Sequence, residues 1–193
     1  MIISPPIGIF GHANIIKYCS RPFISVSQMD DAIIDEVNKV VGKDDRLFNL
    51  GDVAFKGGNL ASYRARLICK NIFVVPGNHD KEKELVRYFS VLPQCYQYEN
   101  QGFRVILCHY AMRVWLHSHH GACMLYGHSH DGLPLLPGVP TFDVGVDAVA
   151  HRFSPGGYRP LSLVEVKEEM KRLCALTPPA EQRQEHLHHN VTS

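Results

Sequence analysis

The sequence predicts an α/β fold with parallel strands, because short apolar runs alternate with helical patterns. Residues 46–50 and 71–75 are short runs that stop at a glycine or at Pro-Gly, as buried strands do. Residues 27–41 and 60–69 have the spacing of amphipathic helices. The length of 193 residues is sufficient for one sizeable core, so a single domain is expected.

The first half of the chain supplies most of the predicted helices. Ser27 can cap the helix over residues 27–41, and Gly42 suits its exit. Its apolar face carries Met29, Ile33, Val37 and Val40. A third helix is predicted over residues 81–89, directly after the second strand.

The second half is predicted to contain mainly strands separated by turns. The four segments are residues 104–108, 122–126, 142–146 and 161–166. From residue 167 the chain becomes polar, so the domain is predicted to span residues 1–166. Residues 167–193 are predicted to form a partly disordered extension, with a short helix before the tail over 182–190.

Composition is that of an ordinary globular protein, with 45% hydrophobic and 20% charged residues and a net charge of +1. This balance argues against a broad nucleic-acid surface, although a local basic groove is not excluded. The six cysteines form no CxxC pair, and the opening residues lack the basic start of a signal peptide. No apolar run approaches the length of a membrane span. A cytoplasmic location with reduced thiols is therefore expected.

Side chains that can bind metals follow several of the predicted strands. Asp52 follows a strand and a glycine, and a carboxylate can bridge two cations. Pro-Gly turns the chain sharply before Asn78 and His79, at the strand end where ligands bind in open α/β sheets. An amide oxygen can ligate a hard cation, and the neighbouring imidazole can act as an acid or bind phosphate.

Histidines occupy the corresponding positions in the second half. His109 closes the strand over residues 104–108, and His128 and His130 lie two residues apart. In extended backbone these two imidazoles would point to the same side and reach adjacent metals. Asp143 and Asp147 are expected to support the 128–130 loop by hydrogen bonds rather than to bind metal.

The combined motifs resemble a known family. They are the segments 10–16, 51–52, 77–80, 112–115 and 127–130, together with His109. In this combination they closely resemble the calcineurin-like metallophosphoesterases, in particular their small bacterial and phage branch. The resemblance extends to about residue 166 and implies a four-layer αββα sandwich with two metal ions between strand-end loops.

The resemblance also implies roles for individual residues. Asp52 would bridge both metals, Asn78, His109 and His128 would complete the second site, and His130 would belong to the first. His79 would protonate the leaving group or steady the phosphate. The implied cofactors are two divalent ions, Mn or Fe, Zn or Ni.

The sequence departs from the family at its first motif. The family's first strand ends in Asp-x-His, whereas Ile7 and Ile9 occupy those positions here, and neither can ligate a metal. The first site would therefore be weak or empty, unless His12 substitutes in part. An altered reading frame or start in the gene is a further explanation for this segment.

The predicted function is hydrolysis of phosphodiester or phosphomonoester bonds by a metal-activated water. The alternative is a degenerate member of the family that binds metal or phosphate with little or no activity. The expected partner is a small phosphoester or a nucleotide, with no membrane and with nucleic acid not excluded. The sequence does not indicate the oligomeric state.

Overall fold

The fold is an α/β sandwich of two sheets, as predicted. The computed structural model describes residues 2–4, 10–55 and 58–176. The strands are β1 (Ile2–Ser4), β2 (Arg46–Asn49), β3 (Asn71–Val74), β4 (Ser90–Val91), β5 (Cys95–Asn100), β6 (Phe103–Cys108), β7 (Cys123–Tyr126), β8 (Thr141–Asp143) and β9 (Leu161–Ser162). The helices are α1 (Ala13–Tyr18), α2 (Val26–Val40), α3 (Leu60–Arg66), α4 (Glu82–Leu85), α5 (Val146–Arg152) and α6 (Leu163–Ala175).

Parallel pairing dominates both sheets. The first sheet has the order β4-β3-β2-β1-β9, and only β9 runs antiparallel to its neighbour. The second has the order β5-β6-β7-β8, with β5 antiparallel to β6 and the other pairs parallel. Since parallel strands end at the same edge, the carboxyl ends of β2 and β3 lie together, as do those of β6 and β7.

Three apolar clusters hold the layers together. The inner faces of the two sheets meet in one cluster, where Phe48 and Leu50 pack with Leu107 and Leu125. A second cluster joins the outer face of the first sheet to the helices, and it includes the predicted residues Met29, Ile33 and Val37 of α2. The third covers the outer face of the second sheet around Trp115, whose indole Nε1 donates a 2.8 Å hydrogen bond to the Ala122 carbonyl.

Several predicted element boundaries were wrong. Helix α2 is capped by Ser25, which accepts from the Gln28 N–H, and not by Ser27. The predicted helix over residues 81–89 shrinks to the single turn of α4. The strands predicted over residues 142–146 and 161–166 are shorter in the structure, where β8 ends at Asp143 and β9 at Ser162. In both segments the apolar run continues past the strand end into a helix.

The last helix also bears on where the domain ends. Helix α6 crosses residue 166, and its buried Val166, Met170 and Leu173 pack between the sheets. The folded unit therefore reaches beyond the predicted boundary, at least to the end of α6. The predicted tail over residues 177–193 lies outside the described residues, as do Ile7 and Ile9. Among the helices of the described ranges, none has both the length and the apolarity needed to cross a bilayer.

Candidate metal centre

Four potential ligands meet where the carboxyl edges of the two sheets come together. The first sheet contributes Asp52, just beyond β2, and Asn78, just beyond β3. The second sheet contributes His109, directly after β6, and His128, two residues after β7. Each sheet thus provides two side chains from adjacent parallel strands, which explains why residues far apart in sequence become neighbours.

His109 lies at the centre of this group. Its Nε2 atom is 3.1 Å from Asn78 Oδ1, 3.0 Å from His128 Nδ1 and 3.3 Å from Asp52 Oδ2. Its other ring nitrogen, Nδ1, lies 2.7 Å from the Leu50 carbonyl oxygen and donates to it. This bond fixes the ring and leaves Nε2 facing the other three side chains, which is the usual arrangement of a histidine that binds a metal.

The chemistry of the four groups fits a divalent cation. An amide oxygen and a carboxylate oxygen accept hydrogen bonds only, and a neutral imidazole with Nδ1 protonated offers a lone pair at Nε2. Asn78, Asp52 and His109 therefore direct acceptor atoms at one another, and a single shared proton cannot satisfy all of them. A cation bound among these atoms would satisfy all of them. Two imidazole nitrogens with two oxygens suit Mn, Fe, Co, Ni or Zn.

The same contacts shift the pKa values of the buried Asp52 and His109. Burial raises the pKa of Asp52, but its bond to His109 and the His79 N–H outweigh burial and hold that pKa below its ordinary value. Burial lowers the pKa of His109, but Asp52 and the Leu50 carbonyl raise it overall. The pKa of His128 is lowered by burial and by the neighbouring His109. The cluster thus favours an ionised Asp52 beside a group that carries positive charge.

Two glycines and one carboxylate hold the loops of the first sheet in place. A side chain at Gly51, where φ is +96°, would lie 2.5 Å from the Gly77 nitrogen and 2.7 Å from His109 Nδ1. The Asp80 carboxylate accepts from the backbone N–H groups of Asp52, Val53 and Gly77 at 2.7–2.9 Å. Asp80 therefore joins the loop after β2 to the loop after β3, which fixes Asp52 relative to Asn78.

His130 turns away from this cluster. The predicted extended segment is a turn, in which His130 has a φ of +48°. Its Nδ1 lies 2.8 Å from an oxygen of Asp147, whose two oxygens also accept from Arg21 at 2.8 Å each. The Cys19 sulfur is also close, since the ligand atoms of Cys19, His130 and Asp147 all lie within 4.8 Å of one another. His128 and His130 thus serve two separate clusters, because the turn redirects the second ring.

The second cluster is strongly ionic. Burial lowers the pKa of His130, but the bond to Asp147 and the proximity of Cys19 raise it to about 9. Burial raises the pKa of Asp147, but His130 and Arg21 bring it down to about 2. The side chains of Arg21 and Asp147 are almost completely buried, so this pair is shielded from water.

Both clusters contribute to the lining of one open cleft of about 770 Å³, the first through Asp52 and His128 and the second through Cys19 and His130. His79 also lines it, and its ring lies 5.5 Å from that of Phe55. The ring of His12 also packs against Phe55, with ring centroids 3.9 Å apart, and its Nδ1 accepts the Ile15 N–H at 3.2 Å. This hydrogen bond caps helix α1 and occupies Nδ1, so a neutral His12 ring carries its proton on Nε2.

Of the predicted site residues, Asp52, His79, His128 and His130 line this cleft, whereas Asn78 and His109 lie in the cluster beside it. Several residues that support the site were not predicted. Asp147 bonds His130, and Asp143 accepts from the Asp131 N–H at 3.0 Å, so the predicted support of this loop is confirmed. However, Asp147 lies on α5 and not on a strand. The residues not predicted as part of the site are Cys19, Arg21 and the loop-joining Asp80. Of these three residues, only Asp80 could have been recognised from the sequence around it, since it ends the 77–80 motif.

Comparison with known proteins gives one clear relative. No protein-family model matches the sequence. The uncharacterized protein MJ1445 of Methanocaldococcus jannaschii is 31% identical over 161 residues, which is 80% of this chain and 82% of the relative. The chain belongs to the same family as MJ1445.

A solved structure supports the fold. The protein of unknown function AQ665 from Aquifex aeolicus superposes with a TM-score of 0.66 and 20% identity, over 88% of this chain and 98% of that one. The similarity shows that the two proteins share a fold. A weaker similarity, with a TM-score of 0.48 and 17% identity, is to YfcE, a phosphoesterase from E. coli, over 84% of this chain and 81% of YfcE.

Proposed function

We propose that this protein is a metal-dependent phosphoesterase that hydrolyses phosphodiester or phosphomonoester bonds with water. The observation that carries the proposal is the convergence of Asp52, Asn78 and His128 on His109 Nε2 at 3.0–3.3 Å. These four residues would hold one divalent ion, and Asp52 together with His130 would contribute to a second. Such ions would supply Lewis-acid stabilisation of the charge on the phosphoryl oxygens and would make water acidic enough to attack at neutral pH.

The protein's own groups have distinct parts in this proposal. The Leu50 carbonyl fixes the His109 tautomer, and Asp80 fixes the loop that carries Asp52. His79 borders the cleft beside the cluster, and its backbone N–H is held by Asp52 Oδ1 at 2.8 Å. Its imidazole would give a proton to the departing alkoxide oxygen. His12 Nε2–H is a second donor on the same cleft, suited to a phosphoryl oxygen.

The substrate would be a small phosphoester or a nucleotide. The cleft is open and lined by histidines, which suits an anionic group better than an apolar one. A net charge of +1 gives little long-range attraction for long nucleic acid, although short ends are compatible with the cleft.

The assay for this function is hydrolysis of bis(p-nitrophenyl) phosphate and p-nitrophenyl phosphate with added Mn²⁺. His109→Ala should lower kcat/KM by more than about 100-fold, because it removes the group at the centre of the cluster. His79→Gln should lower kcat by about 100-fold with a smaller effect on metal affinity. The control is His119→Ala, an exposed histidine that does not line the cleft. Full activity in His109→Ala would refute the proposal.

A second candidate is a degenerate relative that binds metal or phosphate without turnover. Ile7 and Ile9 favour it, because they replace two ligands that the family resemblance implies. The double substitution Ile7→Asp/Ile9→His distinguishes the two. If the unmodified chain is nearly silent and the double variant turns over, the protein is a degenerate phosphoesterase. If the unmodified chain is active and the double variant adds little, its first site is completed by other residues.

A further inference from the structure

A thiol lies at the corner of the cleft where the first metal ion would bind. Ligand atoms of Cys19, His130 and Asp147 all lie within 4.8 Å of one another. Cys19 is half-buried and ends α1, where its backbone N–H donates to the Ile15 carbonyl at 3.0 Å. Its position is thus set by the helix, and both it and His130 line the cleft.

The three groups are not equivalent as ligands. Both oxygens of Asp147 accept from Arg21, and one of them also bonds His130 Nδ1. Asp147 therefore stands behind the imidazole, in the position of the carboxylate that orients a metal-binding histidine. His130 Nε2 and the Cys19 sulfur remain as the groups available to a cation.

We propose that Cys19 is a metal ligand and forms, with His130, the core of the first metal site. The inference rests on the proposed two-metal cleft and names the residue that compensates for Ile7 and Ile9. On binding, a divalent cation takes the place of the thiol proton. One metal–sulfur and one metal–nitrogen bond form, the thiol proton and the Nε2 proton of the protonated His130 ring pass to solvent, and nothing is oxidised or reduced.

His12 fits this role less well than Cys19. Its Nδ1 is occupied as the cap of α1, and its ring packs 3.9 Å from Phe55. Cys19, in contrast, offers a sulfur that lies within 4.8 Å of the ligand atoms of His130 and Asp147. A thiol and an imidazole at this separation can chelate one cation once their protons are displaced.

The ligand types predict which ion the first site would take. Thiolate with imidazole selects Zn²⁺, Fe²⁺ or Co²⁺ over Mn²⁺ or Mg²⁺, whereas the cluster around His109 offers nitrogen and oxygen only. The two sites should therefore differ in metal preference. Remaining positions at the first site would be filled by Asp52, which lines the same cleft, or by solvent.

The test is a Co²⁺ titration of the full-length, metal-free protein, followed by absorption. Bound thiolate gives a sulfur-to-cobalt charge-transfer band in the near ultraviolet, which neither histidine nor carboxylate produces. The wild-type protein should show this band, and Cys19→Ser should lose it. Cys174→Ser is the matched control, since Cys174 is exposed on α6 and does not line the cleft, and it should keep the band.

A second variant separates loss of the ligand from loss of the fold. Cys19→Asp replaces sulfur by an oxygen ligand, so it should bind as many Co²⁺ equivalents as the wild type without the charge-transfer band. Absence of the band in the wild type, or its persistence in Cys19→Ser, would overturn the inference. Hydrolysis is a separate readout: a wild-type protein that shows the band but hydrolyses no phosphoester would refute the proposed function and leave the Cys19 site intact.

Discussion

The buried contact of Asp147 with Arg21 and His130 should be one of the strongest single contributions to the stability of the metal-free protein. Asp147→Asn keeps the shape of the side chain and removes its negative charge from beside the buried Arg21. The lowering of the Asp147 pKa from 3.8 to about 2 corresponds to about 2.4 kcal/mol. Breaking one side of a buried pair typically costs about 3–5 kcal/mol. We expect a loss of about 3 kcal/mol in the free energy of unfolding.

Urea unfolding at pH 7 in the presence of a chelator measures this loss. The control is Asp44→Asn, because the pair of Asp44 with Lys70 is largely exposed and should contribute less than about 1 kcal/mol. Asp147 has a lowered pKa, so its contribution is present above pH 4 and is lost as the pH falls towards 2. The gap between wild type and Asp147→Asn should therefore narrow by about 1 kcal/mol at pH 3. A loss below about 1 kcal/mol at pH 7 would refute this account.

Four further predictions concern the two loops that Asp80 joins, helix α6 and the stability of the protein at alkaline pH. Gly77→Ala places a methyl group against the Asp52 side chain and 2.7 Å from its backbone nitrogen, so metal affinity and melting temperature should both fall. Asp80→Asn weakens the bonds that join two loops, and a metal titration should show about 10–100-fold lower affinity. Ser162→Ala removes a capping box and should cost about 1 kcal/mol in urea unfolding with unchanged metal binding. His130, whose raised pKa is about 9, stabilises the metal-free protein fully below pH 6.5, and this contribution should vanish as the pH rises past 9 in pH-dependent unfolding.

The fold class and the positions of the main ligands could be predicted because their signals are local. A short apolar run followed by Gly-Asp or Pro-Gly-Asn marks a buried strand and the polar side chain at its end. Asp52 and His109 follow such strands, and the sheets bring them to 3.3 Å. Parallel pairing then makes their proximity a consequence of topology, which is why sequence reasoning could anticipate it.

The strand predicted over residues 161–166 was wrong because its apolar residues also suit a helix. Leu161 and Val166 are both buried, which fits either a strand or one face of a helix. The deciding signal was present: Ser162 and Glu165 form a capping box at the start of α6.

The second cluster could not be predicted because its members have no local signature. Cys19 ends a short helix near the start of the chain, and its partners His130 and Asp147 come from the opposite end. Arg21 and Asp147 are separated by 126 residues. A cysteine or arginine of this kind gains its role only from tertiary packing.

The most direct test of the metal centre is a crystal structure of the protein soaked in Mn²⁺, with anomalous scattering recorded for manganese. The account predicts a peak about 2.0–2.4 Å from His109 Nε2, with Asp52, Asn78 and His128 as further ligands. A fully occupied manganese peak elsewhere with none beside His109, or the absence of any peak at saturating Mn²⁺, would contradict it.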